Sequence, residues 1–223
     1  RTSTSKDKEI IIRMLGGLGN QLFQYALGRQ LSIIHNRPLK LDTSYYTAES
    51  PDAKKGIRIY CLPQFNGKAE IESPEELKTF QKYVKKDLVS KVLRHASGFG
   101  KYYKRSYIFE PPKNYFKFDQ NLLSAKLKQP VYLDGFWQTE KYFRDVEGII
   151  RSDFTYKNLP DKLNSKMLAE IKQQESVCLH IRHGDNATKI AAKQGMLGLE
   201  YYTEEINRLN SKVKNPHFYY FST

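Results

Sequence analysis

The stretch "RMLGGLGNQLFQYALG", residues 13 to 28, limits the possible folds more sharply than any other part of the chain. Gly16, Gly17 and Gly19 follow the apolar run Ile10-Ile11-Ile12. They precede Leu22, Phe23, Ala26, Leu27, Leu31 and Ile34, which recur at helical spacing. Residues 9 to 14 therefore predict a buried strand, Asn20 the N-cap of a helix, and "RPLKLD" (37 to 42) a second strand ending on Asp42. Strand, tight loop, helix and strand make a βαβ unit, which needs a parallel sheet with helices laid on it.

The pattern continues along the chain. "ESPEELKTFQKYVKKDLVSKVLRHASG" predicts one amphipathic helix, with Ser73 as cap, Pro74 in the first turn, Glu76 closing a capping box and Gly98 as the stop. "YIFEPP" (107 to 112) and "VYLDGF" (131 to 136) predict strands, and residues 139 to 154 and 161 to 174 predict helices. A strand "SVCLHIR" (176 to 182), a glycine-bearing loop, a helix near residues 201 to 213 and a strand "HFYYFS" complete the chain. Such alternation argues for an α/β fold with parallel sheets. Two βα segments around a long middle argue for two such domains, with "YKNLPDKLN" (156 to 164) as the linker. A chain of 223 residues can bury the cores this needs.

Charge narrows the partners. The net charge of +13, 37 basic against 24 acidic residues, favours phosphates, nucleotides, acidic lipid surfaces or nucleic acid. From Lys82 to Arg105 eight basic residues accompany one acid, Asp87. This reads first as a solvated helix face and second as a membrane-surface or acidic-partner patch. Nucleic acid is not expected, because the run lies on a capped amphipathic helix rather than among exposed stacking aromatics. Cys61 and Cys178 have no metal-site spacing, and a reducing compartment is the default. No run approaches the roughly 20 apolar residues that span a bilayer, and "RTSTSKDKEI" lacks the apolar centre of a signal peptide. The missing initial Met and the ending inside a strand lead to the expectation of further residues at both ends.

The glycine loop joins a strand to a helix N-terminus, where backbone N–H groups and the positive end of the dipole are exposed. Asn20 and Gln21 add donors and acceptors at its mouth. It is not a phosphate-binding P-loop, which needs Lys and Ser or Thr after the last glycine. Nor is it an intact dinucleotide fingerprint, since Leu22 takes the third glycine's place. A ligand-free tight turn is the plain alternative.

A second constellation, "LHIRHGDN" (179 to 186), closes a predicted strand, and in open α/β sheets ligands bind beyond such ends. Arg182 can hold a phosphate through two parallel hydrogen bonds and stabilise charge on a departing nucleoside diphosphate. Asp185 can orient it, and Gly184 lets the loop turn. A metal held by His180, His183 and Asp185 is the rival. It is weakened by Arg182 in their midst and by the opposite faces that residues 180 and 183 would occupy on a continuing strand. A core role for His180 is the bland reading.

Together, "GGLGNQLFQYALGRQL", "YLDGFWQTEKYF" and "LHIRHGDN" resemble the α-1,2-fucosyltransferases of glycosyltransferase family 11, from about residue 10 to the end. The resemblance implies a GT-B-like α/β architecture: two Rossmann-like domains with parallel sheets, an acceptor-side domain over 1–158 and an incomplete GDP-fucose-binding domain over 159–223. It implies inverting transfer of L-fucose from GDP-β-L-fucose to the 2-hydroxyl of a terminal β-galactoside, with no cofactor and no metal. By position, Arg182 would hold the β-phosphate of GDP, and His180, Gly184 and Asp185 would shape the donor pocket. Gly17, Gly19, Asn20 and Gln21 would face the acceptor side, and Arg182 and Asn20 would serve catalysis. Asp42 and Asp185 are candidate bases by chemistry, with water as the alternative. His183 stands where the family commonly has Arg or Lys, which weakens the expected phosphate contact. Trp137 reads first as a core aromatic and second as a sugar-stacking ring.

Relatives of this kind build surface glycans such as O-antigen from the cytoplasmic side, so a cytoplasmic protein, peripheral at the inner membrane, is implied. A nucleotide-dependent oxidoreductase would need the fingerprint that Leu22 breaks. The remaining alternative is a non-catalytic basic module binding nucleotide, sugar or nucleic acid.

Overall fold

The computed structural model describes residues 9–47, 58–85, 87–97, 105–127, 130–181 and 197–222. The chain divides into two compact units, Arg1–Lys157 and Asn158–Thr223. Both are α/β with parallel strands, as the alternation predicts.

The first unit is built on strands β1 (Ile10–Arg13), β2 (Leu39–Asp42), β3 (Glu70–Ile71), β4 (Tyr107–Phe109) and β5 (Val131–Asp134), in the order β3-β2-β1-β5-β4. Helix α1 (Leu18–His35) connects β1 to β2. Ile10 pairs with Leu39 on one side and Val131 on the other, which puts like residues of "IIIR", "LKLD" and "VYLD" in register. Side chains alternate between faces along a strand, so one face collects Ile10, Ile12, Leu39, Leu41, Val131 and Leu133. These pack with Tyr25, Ala26, Leu27 and Leu31 of α1 into the main core. Truncating one of them to Ala would cost about 2–5 kcal/mol.

The opposite face carries Ile11, Tyr107 and Tyr132, which pack on Leu77 and Phe80. Phe80 stacks on Tyr132 at 4.8 Å, Tyr132 on Tyr107 at 5.7 Å, and Tyr107 on Tyr83 at 4.3 Å. The helices over this face are α2 (Pro74–Val84) and α3 (Leu88–Ser97), where a single helix is predicted. Lys85 is extended, and the Asp87 carboxylate accepts the Ser90 N–H at 2.7 Å, so Asp87 starts a new helix. At the start of α2, Ser73 caps the Glu76 N–H and its hydroxyl donates to the Glu76 carboxylate. The expected stop at Gly98 lies outside the described residues.

Residues 139 to 154 also differ from the predicted helix. Two 3-10 turns, Glu140–Tyr142 and Arg144–Val146, precede α5 (Glu147–Asp153), while α4 (Gln120–Ser124) comes earlier in the chain. Tyr142 is drawn into the core, where its hydroxyl accepts the Asp119 N–H at 3.0 Å, and Phe143 leaves helical geometry.

In the second unit, α6 (Lys162–Lys172) is capped by Asp161, and β6 (Ser176–Ile181) pairs in parallel with β7 (His217–Ser222). Helix α7 (Leu199–Asn210) precedes β7. Leu179 is its only buried residue among those described.

Candidate active site

Three polar devices meet at the carboxyl ends of β1 and β5. The first is the glycine loop. Gly16 has φ +76°, and a Cβ there would lie 2.2 Å from the Asn20 side-chain amide. Only glycine holds this turn without strain or displacement of Asn20. A Cβ on Gly17 or Gly19 would meet nothing within 4 Å, so the loop backbone there is open to an approaching group.

Two sequence expectations need correction here. Gly17, not Asn20, is the N-cap of α1: it is extended, and no side chain caps the helix, which places Asn20 in the first turn. Gln21 does not face a ligand. It is fully buried, donating to Ile59 O at 2.8 Å and Gly16 O at 3.3 Å while accepting from Cys61 N at 2.8 Å. Both ends of its amide clamp the loop, and Tyr46 adds a bond to Gly16 O at 2.9 Å.

Gln24, one turn further along α1, was not singled out by the sequence. It accepts from Leu15 N at 2.9 Å and donates to Gly135 O at 3.0 Å, joining the loops after β1 and β5. The repeated amides of "NQLFQ" are its only sequence signal.

The second device is the turn after β5. Trp137 has φ +56°, unusual for a bulky residue. Buried Glu110 holds it there by accepting the N–H groups of Phe136 at 2.7 Å and Trp137 at 3.0 Å. Burial pushes the Glu110 carboxyl up, and those two N–H groups oppose the shift. Trp137 is a core aromatic, edge-on to Tyr142 at 6.0 Å. The turn delivers Gln138, whose amide donates to Asn20 Oδ1 at 2.8 Å. Among the described residues this half-buried pair makes no other hydrogen bond. Whichever amide donates, one amino group and one carbonyl oxygen remain.

The third device lies below. Arg13 reaches both carboxylate oxygens of Asp134 at 3.2 Å, and Tyr107 donates to Asp134 at 2.5 Å. Asp42 accepts from the Tyr132 hydroxyl and from Ser44 N at 2.9 Å. Burial, reinforced by these carboxylates, drives both tyrosines far above the usual phenol range. For Arg13 burial acts downward, but Asp134 and its neighbours outweigh it. Asp42 is buried with both oxygens engaged, so the base role does not suit it. Arg13, Asp42 and Asp134 each close a strand, and that shared position is the signal in sequence.

On the second unit, His180 lies on β6 with an exposed side chain, which excludes the core reading, and its carbonyl accepts from Tyr202 at 3.5 Å. Arg182, His183, Gly184 and Asp185 lie outside the described residues. Among the described residues no cluster of His, Cys, Asp and Glu could hold a metal ion, and no helix is long and apolar enough to cross a membrane. The amides and open backbone at the glycine loop form a neutral, hydrogen-bonding surface that suits hydroxyl groups.

Comparison with known proteins shows the family. The model of glycosyl transferase family 11 matches residues 9–223. An alpha-1,2-colitosyltransferase from Escherichia coli is 31% identical over 216 residues, covering 96% of this chain and 68% of that protein. Among solved structures, fucosyltransferase NodZ from Bradyrhizobium aligns with a TM-score of 0.49 at 13% identity, covering 97% of this chain and 72% of that one. An alpha-1,6-fucosyltransferase NodZ structure soaked with GDP-fucose aligns with a TM-score of 0.47 at 14% identity, over 97% and 71%.

Proposed function

Because the chain belongs to glycosyl transferase family 11, we propose that it moves L-fucose from GDP-β-L-fucose to the 2-hydroxyl of a terminal β-galactoside in surface-glycan synthesis. The observation that carries this reading is the extent of the family match, residues 9–223, which takes in both the loop of Asn20 and the HIRHGD segment.

In this mechanism the acceptor 2-hydroxyl attacks the anomeric carbon on the face opposite GDP, and the bond from that carbon to the β-phosphate oxygen breaks. Configuration inverts. Arg182, next in sequence after β6, takes up the charge that grows on the phosphate and so favours the transition state over the ground state. His180, Gly184 and Asp185 shape the donor pocket. The attacking hydroxyl's proton goes to Asp185 or to water, since Asp42 is fully engaged. Asn20 orients hydroxyls on the acceptor side, beside Gly17 and Gly19. No metal takes part.

The 31% identity to a colitosyltransferase supports a second reading, GDP-colitose as donor. Colitose is fucose without its 3-hydroxyl. A pocket that hydrogen-bonds that hydroxyl would reject colitose by about 10⁴-fold.

The cellular part of the proposal is peripheral contact with an anionic inner-membrane face through α3. There Leu88, Val89 and Val92 are exposed beside Lys91.

Calorimetric titration of GDP, without divalent metal, tests the donor site. Selective binding that Arg182→Ala abolishes is expected, and silence with GDP would sink the reading. Incubation of lactose with GDP-fucose and GDP-colitose in parallel, followed by linkage analysis, decides between the two donors.

A further inference from the structure

A cavity of about 330 Å³ opens at the carboxyl ends of β4 and β5, on the part of the chain that carries the Trp137 turn. This volume is at the lower end of small-molecule sites, about 300–1,000 Å³. Its lining combines aromatic rings, Trp137 and Tyr142, with polar side chains including Asn114, Lys117 and Gln120. Rings beside hydrogen-bonding groups suit a pyranose, which has apolar faces and a polar rim.

Two side chains of the lining are incompletely bonded. Glu110 is 3% exposed and Trp137 4%. Glu110 Oε2 holds the turn, but among the described residues Oε1 has no hydrogen-bond partner, and neither has Trp137 Nε1. Buried polar atoms are seldom left unpaired, because the desolvation cost is then uncompensated. The two side chains are neighbours and chemically complementary. A Cβ built on Gly135 would lie 2.9 Å from Glu110 Oε2 and 2.9 Å from Trp137 Cε2, the carbon bonded to Nε1. One group is a donor and the other an acceptor. A hydroxyl completes both at once, accepting from the indole N–H and donating to the carboxylate.

We propose that this cavity is a carbohydrate subsite, in which a ring hydroxyl of the acceptor glycan bridges Trp137 Nε1 and Glu110 Oε1. The inference rests on the transferase reading for the source of the sugar, but not for its chemistry. It makes Glu110 and Trp137 acceptor-binding residues, and it gives the strained Trp137 backbone a function beyond carrying Gln138.

Trp137 is the only tryptophan in the chain, so its emission reports on this cavity alone. Lactose is titrated into the full chain while that emission is followed, and GDP is titrated separately by calorimetry. The expected result is a saturable emission change in the wild type and a midpoint raised about tenfold or more in Glu110→Gln. Trp137→Phe keeps an aromatic ring and removes the N–H, and its lactose heat should weaken to the same degree. GDP binding should be unchanged in both variants. If Glu110→Gln does not fold, Trp137→Phe decides alone. Emission indifferent to lactose while GDP binds would overturn the subsite and leave the transferase reading standing, the cavity then holding water only. Lactose binding equally tight in both variants would also overturn it. Lactose binding of the expected pattern without GDP binding would support the subsite while the donor reading fell.

Discussion

Single residues at this site divide into those that hold shape and those left to bind. Gln138 belongs to the second group: it is half-buried, and its one described bond is to Asn20. Replacing it with Ala should cost only about 0.5–1.5 kcal/mol of stability, yet lower the proposed fucosyl transfer about tenfold with GDP affinity unchanged. Steady-state rates and calorimetry on the same preparation check this. Gly16→Ala should be harsher, since it strains the backbone by about 1–2 kcal/mol and pushes the Asn20 amide aside.

Glu72 gives a prediction in pH. Its burial, a hydrogen bond shared with Glu76 and the charge of Glu9 outweigh the Ser73 N–H and push its carboxyl up to about 7 from an ordinary 4.5. The folded chain therefore holds this proton where the unfolded chain has released it. The stabilisation is full below about pH 4.5 and is lost as pH rises through about 7. Glu72→Gln, which mimics the protonated form, should be the more stable protein above pH 7.5 by about 1–3 kcal/mol, and equal to wild type near pH 4.5. Urea unfolding at several pH values tests it, and parallel stability curves for the two proteins would refute it.

At the level of elements, α2 and α3 show how local and long-range signals compete. Hydropathy runs unbroken from Leu77 to Val92, so the spacing suggests one helix. The Asp87 cap divides it, and Asp87→Ala should cost about 1 kcal/mol of stability. The strands were more legible. "IIIR" is an apolar run and "LKLD" alternates, so the apolar core face was legible, and the shared strand-end position marks the part-buried Arg13–Asp134 pair. The order of the sheet, with β5 rather than β4 beside β1, was not legible, because pairing partners leave no local trace. The same limit applies at the site. An amide such as Gln21 reads identically whether it meets a ligand or the chain's own carbonyls, and only its burial separates the two.

Helix α3 also carries the membrane prediction. Val89 and Val92 are 68% and 60% exposed, so Asp at both positions should leave the fold intact. Co-sedimentation with vesicles rich in anionic lipid should fall several-fold in that double variant. Equal pelleting of the two proteins would remove α3 from any membrane contact.

Across the molecule, stability and donor chemistry are expected to reside in different units. The main core belongs wholly to Arg1–Lys157. In Asn158–Thr223, by contrast, Leu163 is 73% exposed, Leu199 78% and Tyr220 66%, and the described sheet has two strands. A two-stranded sheet is at best marginally stable alone. Residues 9–157 expressed alone should therefore unfold cooperatively, with Tm within several degrees of the full chain, while residues 158–223 alone should show no cooperative transition. Because our reading assigns GDP to the second unit, saturating GDP should stabilise the full chain but leave the Tm of 9–157 unmoved. At a hundredfold excess over Kd a ligand adds about 2.7 kcal/mol to the state that binds it, enough for scanning calorimetry to resolve. A Tm of 9–157 that rises with GDP would place the nucleotide on the glycine-loop unit instead, and Arg182 would lose its assigned role.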